Sequence, residues 1–394
     1  MTHLSGLLVS DDTYWCSDAL RRLGVDIDFD GMNATVTGIG RRRPVAEGVL
    51  HVGSAGTVAR FLPPFLAAGG KGRWRVTASK QMSRRPVGPL FDTLRAGGAH
   101  IQCPESANCF PAVISGDSFR GGKLRMSGNV SSQFISGVLL GAAHSPEGVK
   151  LAIKGGIVQS AYVLITLDAM RHFGASVEAD EGLSRFNVAP GGYRAHDLEV
   201  EADASTATYF AALAAVTGGS VTLSNLAPGT RQPDFGFLEI LERLGAKVER
   251  KPGGTTITGT GKLKGGFAID MRPLSDATLT LAALAPFADG PITITGVAHI
   301  RHHESDRIAA MCRSLEQLGV PVVEREDGMT ISPAAPRFAV LDTHEDHRIA
   351  MSLAVLGLAG AGVELREPGC VSKTCPTFFD LIAGLGAKVE EVKG

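Results

Sequence analysis

One phrase recurs six times along this 394-residue chain: a helical run, then Leu-Gly-Ala or a variant of it, then a short strand-forming run. It reads Ala19-LRRLGVDI, Leu94-RAGGAHI, Met170-RHFGASVE, Leu241-ERLGAKVE, Leu315-EQLGVPVVE and Ile382-AGLGAKVEE. The aligned glycines are Gly24, Gly98, Gly174, Gly245, Gly319 and Gly386, spaced 74, 76, 71, 74 and 67 residues apart. A glycine just past a helix end takes the positive φ that other residues adopt only at a cost. Solenoid repeats run to about 20–50 residues. The period here is longer, so each repeat is a substantial packing unit.

Most repeats carry an earlier helix that opens on a polar cap and continues apolar. These are Ser54-AGTVARFL, Asn129-VSSQFISGVLL, Asp203-ASTATYFAALAAV, Ser275-DATLTLAALA and Glu345-DHRIAMSLAVLGL. Ser, Asn and Asp satisfy the orphan N–H groups of a helix start. β-Rich runs follow three of them, as Ser220-VTLSNL, Pro291-ITITGV and Gly362-VELREP. A last strand such as Thr255-TITG often closes the repeat. One repeat therefore reads β-α-β-α-β-β. The chain is expected to be α/β (α+β), with three repeats around each of two cores. The expected domains are 1–201 and 202–394. In five repeats the first-helix cap lies 41 to 45 residues ahead of the aligned glycine, whereas only 23 residues precede Gly24. The first repeat is thus expected to lack its opening strand and helix.

Composition excludes several classes. Thirty-nine basic residues against 40 acidic ones give a net charge of −1, so no nucleic-acid footprint exists. The longest apolar stretch, 349–365, is interrupted by Ser352 and by glycines, and reads as a buried helix plus a strand, not a membrane span. No signal-peptide pattern opens the sequence. The cysteines, at 16, 103, 109, 312, 370 and 375, form no C-x-x-C pair, which points to a reducing cytoplasm.

Short polar clusters sit at helix starts: Gly53-SAGTVAR, Arg84-RP, Ser131-SQF, Asp276, Arg301-HHESDR, Thr343-HEDHR and Ser372-KT. Backbone N–H groups combined with Arg or Lys bind phosphates and carboxylates. Asp276 and Glu304 among such cations can move protons if their pKa values are tuned. Taken singly, each feature has a plainer reading. An Arg in a first turn is more often a surface residue, Ser131 and Ser132 can be a cap alone, Asp276 a turn residue and Tyr162 a packing residue. The histidine clusters lack the H-E-x-x-H spacing of a zinc site, and Gly259-TGKLKGG lacks P-loop spacing.

Read in order, the clusters resemble the 5-enolpyruvylshikimate 3-phosphate (EPSP) synthase family of enolpyruvyl transferases. The motifs are G-[NS]-A-G-T-x-x-R at 53–60, R-P-x-x-x-L at 85–90, S-S-Q-F at 131–134, x-E-[ST]-D-R at 303–307, D-H-R-x-A at 346–350 and K-T-x-P at 373–376. The resemblance runs from about Leu7 to Phe379. It implies a two-domain inside-out α/β barrel of six βαβαββ repeats. It also implies transfer of the enolpyruvyl group of phosphoenolpyruvate to the 5-hydroxyl of shikimate 3-phosphate with release of phosphate, in the pathway to aromatic amino acids. The family is the target of glyphosate. No metal or organic cofactor is implied, nor any nucleic-acid or membrane partner, and the expected state is a monomer.

By resemblance, Asp276, Glu304, Lys373, Asp12 and His347 belong to the catalytic machinery, with Asp276 as base, Glu304 as proton relay and Lys373 at the leaving phosphate. Gly56, Thr57, Arg85, Gln133, Arg307, Arg348 and Lys373 would hold phosphoenolpyruvate. Ser131, Ser132, Gln133, Gln159, Tyr162, Asp276, His299 and His303 would hold shikimate 3-phosphate. The sequence departs from the family pattern in four places. The Lys-Ser-x-Ser-x-x-Arg motif of the family's first helix is not present; His303 stands where Lys is common, Gln159 where Ser is usual, and Phe61 where Pro often follows the first motif. Two alternatives stay open: transfer to another hydroxyl acceptor, and a non-catalytic homologue.

Overall fold

The computed structural model describes residues 1–392 and divides into two compact units, Met1–Val200 and Glu201–Gly394. The N-terminal unit begins with strand β1 (Thr2–Ser5), helix α1 (Asp11–Arg22) and the hairpin β2 (Asp26–Asp30) and β3 (Asn33–Thr37). Ser10 starts α1 with a capping box to Thr13. The second repeat runs β4 (Glu47–His51), α2 (Gly56–Ala68), β5 (Arg73–Thr77), the short α3 (Lys80–Ser83), α4 (Gly88–Ala96), β6 (Ile101–Gln102) and β7 (Ala112–Ser115). The third runs β8 (Gly122–Ser127), α5 (Ser132–Ala142), β9 (Val149–Lys154), α6 (Ser160–His172), β10 (Val177–Ala179) and β11 (Arg185–Val188), before the two-residue β12 (Leu198–Glu199).

The C-terminal unit repeats the pattern. Its first section holds α7 (Ala204–Thr217), β13 (Ser220–Ser224), α8 (Phe237–Arg243), β14 (Lys247–Lys251) and β15 (Gly254–Thr258). β16 (Phe267–Asp270), α9 (Thr278–Leu284), β17 (Ile292–Thr295), α10 (Arg307–Gln317), β18 (Val322–Arg325) and β19 (Gly328–Ile331) follow. The last section holds β20 (Val340–Asp342), α11 (His347–Ala359), β21 (Glu364–Arg366) and α12 (Phe378–Gly384). The apolar stretch 349–365 is thus a buried helix followed by a strand. No helix among the described residues is long and apolar enough to cross a membrane.

Within a complete repeat the sheet order is fixed. β8 pairs parallel with β9, β9 antiparallel with β11, and β11 antiparallel with β10. The same order recurs in β4-β5-β7-β6 and β16-β17-β19-β18. Among the described residues the sheets stay open, and none closes into a cylinder. The first helix of each repeat lies inside: α9 is buried along its whole length, and α2, α5, α7 and α11 nearly so. The N-terminal unit holds two such helices, α2 and α5, and the C-terminal unit three.

All six aligned glycines have positive φ, between 77° and 104°. Each closes its helix with the same pair of bonds. In the first repeat Gly24 N–H donates to the Arg21 carbonyl at 2.9 Å and Val25 N–H to the Leu20 carbonyl at 3.1 Å. The last repeat does so through Gly386 to Ala383 and Ala387 to Ile382. The strand expected after Gly386 does not form, since 387–392 carries no strand pairing.

The first repeat shows an exchange that the linear pattern hides. At the edge of its sheet β1 pairs parallel with β12, Leu4 opposite Leu198 and Ser5 opposite Glu199. By sequence order β12 opens the fourth repeat, whose sheet keeps only β13-β15-β14 among the described residues.

Candidate active site

In the C-terminal unit, four helix starts and turns converge on one guanidinium. Asp306 caps α10 through the Ala309 N–H, which places Arg307 in the first helical position. The Arg307 side chain is only 2% exposed, and all five of its N–H groups are engaged. Nε and Nη2 donate to the two oxygens of Asp346 at 2.9 and 3.2 Å. Nη2 also donates to Glu304 Oε2 at 2.8 Å, and Nη1 to Asp276 Oδ1 at 3.3 Å. The last Nη1 hydrogen points at His303 Nδ1, 3.0 Å away.

The carboxylates bridge outward to further cations. Asp276 sits in the 3-10 turn Arg272–Ala277 and accepts from Arg348 Nη2 at 3.0 Å. Glu304 Oε1 accepts from Lys373 Nζ at 2.5 Å, Lys373 ending the 3-10 turn Pro368–Lys373. Asp346, fully buried, caps α11 by accepting from the Arg348 N–H, and takes a hydrogen bond from Ser305 Oγ at 2.9 Å. Three carboxylates thus alternate with three cations: Asp276, Glu304 and Asp346 with Arg307, Arg348 and Lys373.

This alternation sets the protonation states. Burial alone would raise the Asp276 carboxyl, but the guanidiniums of Arg348 and Arg307 outweigh it and hold it at about 2. The histidines go the other way. Burial, with Arg307 close by, pushes His303 down to about 4. Burial and the charges of Lys373 and Arg348 push His347 to about 3. His299 is lowered by burial as well, and its ring meets that of His303 edge-on at 5.7 Å. His303 is therefore neutral near pH 7. Its Nδ1 accepts from Arg307, which leaves the proton on Nε2.

The N-terminal unit gathers a second cluster at the starts of α2 and α5. A methyl group placed on Gly56 would meet Arg60 Nη1 at 3.5 Å, Gln133 Oε1 at 3.7 Å and Arg85 Nη1 at 3.9 Å. Those three side chains therefore face the first turn of α2, with Thr57 beside them. Ser131 caps α5 by accepting from the Gln133 N–H at 3.3 Å, and Ser132 is buried behind it. Gln159 precedes α6 in a left-handed conformation, φ 54° and ψ 51°. Tyr162 lies in the first turn of α6. A Ser136–Thr166 hydroxyl pair at 2.7 Å ties α5 to α6. Asp12 stands in the first turn of α1, one turn before Cys16, whose thiol is raised by burial and by that carboxylate.

Two charged groups escaped the sequence reading. Asp346 was visible only as a helix cap, although the same carboxylate also grips Arg307 in two places. Arg60, the last residue of the first motif, is 4% exposed and donates to the Gly56 carbonyl at 3.1 Å. The motifs contained both, so motif membership was the signal that could have found them.

A model of the family described as EPSP synthase (3-phosphoshikimate 1-carboxyvinyltransferase) matches residues 1–382. The chain belongs to the EPSP synthase family. Among its relatives is 3-phosphoshikimate 1-carboxyvinyltransferase 2 of Halalkalibacterium halodurans, 48% identical over 388 residues, which are 98% of this chain and 86% of that protein. The chloroplastic 3-phosphoshikimate 1-carboxyvinyltransferase of Solanum lycopersicum is 37% identical, with 97% of this chain and 77% of the relative covered. Among solved structures, EPSP synthase of Acinetobacter baumannii superposes with a TM-score of 0.81 at 28% identity, covering 99% of this chain and 91% of that one. An enolpyruvyl transferase of Streptomyces tendae shares the fold at 18% identity, with a TM-score of 0.76 and coverage of 99% and 90%. The mixed α/β architecture of six repeats is thus that of the EPSP synthases.

Proposed function

We propose that this chain is a 3-phosphoshikimate 1-carboxyvinyltransferase. The observation that supports it most is the alternating cluster around Arg307, which places an acid–base pair, Glu304 with Lys373, beside two guanidiniums suited to a carboxylate. In the reaction, the 5-hydroxyl oxygen of shikimate 3-phosphate bonds to C2 of phosphoenolpyruvate and its proton leaves to a base. C3 gains a proton in the same step. The C2–phosphate bond then breaks, phosphate departs, and C3 returns its proton to restore the double bond.

The motifs and the local geometry support the following roles. Arg348 and Arg307 take the substrate carboxylate, a planar partner that matches the guanidinium fork. Since every Arg307 N–H is engaged, the substrate exchanges places with Asp276 or Glu304. Asp276, relieved of its guanidinium partners, becomes the stronger base that the hydroxyl proton requires. Glu304 carries the proton to and from C3, with Lys373 as its partner and as the cation for the departing phosphate. Arg85, Gln133 and the first turn of α2 at Gly56 and Thr57 hold the phosphate of phosphoenolpyruvate. Ser131, Ser132, Gln159, Tyr162, His299 and His303 hold shikimate 3-phosphate. By resemblance, Asp12 and His347 also belong to the catalytic machinery.

Phosphate release from phosphoenolpyruvate plus shikimate 3-phosphate is the deciding assay, with release expected in proportion to the enolpyruvyl product. A second reading, transfer to a different hydroxyl, draws on the neutral His303 and on the left-handed Gln159, both assigned to the acceptor side. Release with another acceptor and none with shikimate 3-phosphate would establish that second reading. No release with any acceptor would sink both.

A further inference from the structure

Arg301 opens the cluster Arg301-HHESDR, yet no step of the proposed reaction uses it. Its side chain is 20% exposed and its guanidinium is committed to protein groups on both sides. Nε donates to the Glu326 carbonyl at 3.0 Å and Nη2 to the Arg325 carbonyl at 2.6 Å. Nη2 also lies 2.8 Å from Glu324 Oε1. Nη1 stands 3.0 Å from both oxygens of Asp306. Arg301 thus joins the turn between β18 and β19 to the residue that caps α10. The hairpin is a firm base. Gly328 lies so close to β17 that a Cβ on it would be 2.0 Å from the Ile294 carbonyl oxygen. The same turn holds the chain upstream of Arg301, since the Gly296 N–H donates to Asp327 Oδ2 and the Val297 N–H to the Asp327 carbonyl, each at 2.9 Å. The stretch between Arg301 and Asp306 has less support of its own. Residues 303–305 lie between the 3-10 turn Ala298–His302 and α10 and belong to neither, and the His303 N–H reaches the Ile300 carbonyl only at 3.4 Å. Glu304 stands in that stretch.

We propose that Arg301 is a positioning residue for Glu304: by clasping Asp306 to the hairpin turn it closes the loop 302–305 and fixes where the Glu304 carboxylate stands. The clasp needs a guanidinium, whose planar fork reaches a carboxylate and two carbonyls at once, as an ammonium cannot. Arg307, the next residue along, does not depend on it, because Asp346 grips Arg307 through two bonds from the start of α11. Loosening the clasp therefore separates two functions of neighbouring residues. Proton transfer through Glu304 slows, while Arg307 still takes the substrate carboxylate. The inference rests on the reading that Glu304 moves the proton at C3 of phosphoenolpyruvate.

Arg301→Lys keeps the charge and breaks the fork. The turnover rate should fall about 10- to 100-fold, as for a misplaced catalytic group, with the Michaelis constant for phosphoenolpyruvate within about 2-fold. Asp306→Asn, whose amide oxygen still caps α10, should reproduce that split. In a Glu304→Gln background Arg301→Lys should change the residual rate by less than about 2-fold. An unchanged rate in Arg301→Lys overturns the inference, and so does a second full loss on top of Glu304→Gln. A lowered melting temperature with rate and Michaelis constant unchanged marks a purely structural arginine and overturns it too. If the parent shows no turnover, the carboxyl carbon resonance of Glu304 separates the questions, observed with carbon-13 glutamate and assigned through its loss in Glu304→Gln. A shift of that resonance in Arg301→Lys, with none in Arg250→Lys, which loosens a fork of the same kind to Glu242, upholds the role of Arg301 while the proposed reaction fails. A resonance that stays in place, or moves equally in both variants, removes the role as well.

Discussion

Arg307 and Asp346 are joined by two N–H···O bonds between side chains that are 2% and 0% exposed. Breaking such a buried pair from one side leaves an uncompensated charge and costs about 3–5 kcal/mol. Asp346→Ala should therefore lower the free energy of urea unfolding by that amount. Asp346→Asn should recover about 1 kcal/mol, because an amide oxygen still caps α11. Equal midpoints for the two variants would contradict this division. Lys373→Ala is expected to behave oppositely. Glu304 keeps its bond to Arg307, so stability should change little, while the turnover rate should fall by about 100-fold or more. An unchanged rate would remove Lys373 from the scheme. At this scale the sequence was partly legible. Glu304, Arg307, Arg348 and Lys373 could be named from their motifs, and Asp276 from its place at a helix start. What joins them could not, since Asp276 and Arg348 lie 72 residues apart and meet only through the fold.

At the scale of elements, the contact of α2 with α5 bears directly on the phosphate cluster. Gly137 and Gly141 lie on the face of α5 turned to α2. A Cβ at Gly137 would come within 2.5 Å of the Arg60 carbonyl oxygen, and one at Gly141 within 2.7 Å of Pro64 Cβ. Backbone cannot step aside as a flexible side chain can, so each glycine sets the spacing of the two helices. Gly141→Ala should cost about 1–3 kcal/mol of stability. Because α2 carries Gly56 and α5 carries Gln133, it should also weaken binding of phosphoenolpyruvate. Gly156→Ala, with open space at the added methyl, is the control and should stay within about 0.5 kcal/mol. Equal stabilities of the two variants would refute the spacing argument. Helix ends were the most legible elements, because a glycine at C′ reports a local backbone requirement that no distant residue can alter. The exchange of β12 was invisible, because strand pairing depends on which chain segment reaches an edge first in space, and sequence spacing does not record that.

Among the described residues, three histidines are held well below their ordinary titration range. His144 is at about 4 through burial and the charges of Arg43 and Arg41, His303 at about 4 and His347 at about 3. Each is neutral when folded and takes a proton near pH 6.5 when unfolded. Between those values the unfolded chain binds more protons, so stability is complete above about pH 6.5 and declines as pH falls toward 4. Asp276, held at about 2, extends the decline below pH 4. The melting temperature should drop steadily from pH 7 to pH 4.5, and His144→Asn should remove one proton's share of the slope. A flat profile over that range would refute the linkage.

The pairing of β12 with β1 also has a meaning in time. His3 and Asp197 are bonded across 194 residues of chain. At about 5–20 residues per second of synthesis, His3 is made roughly 10–40 s before its partner. The first sheet waits through that interval with one edge bare, and is completed only when the last residues of the N-terminal unit arrive to close it.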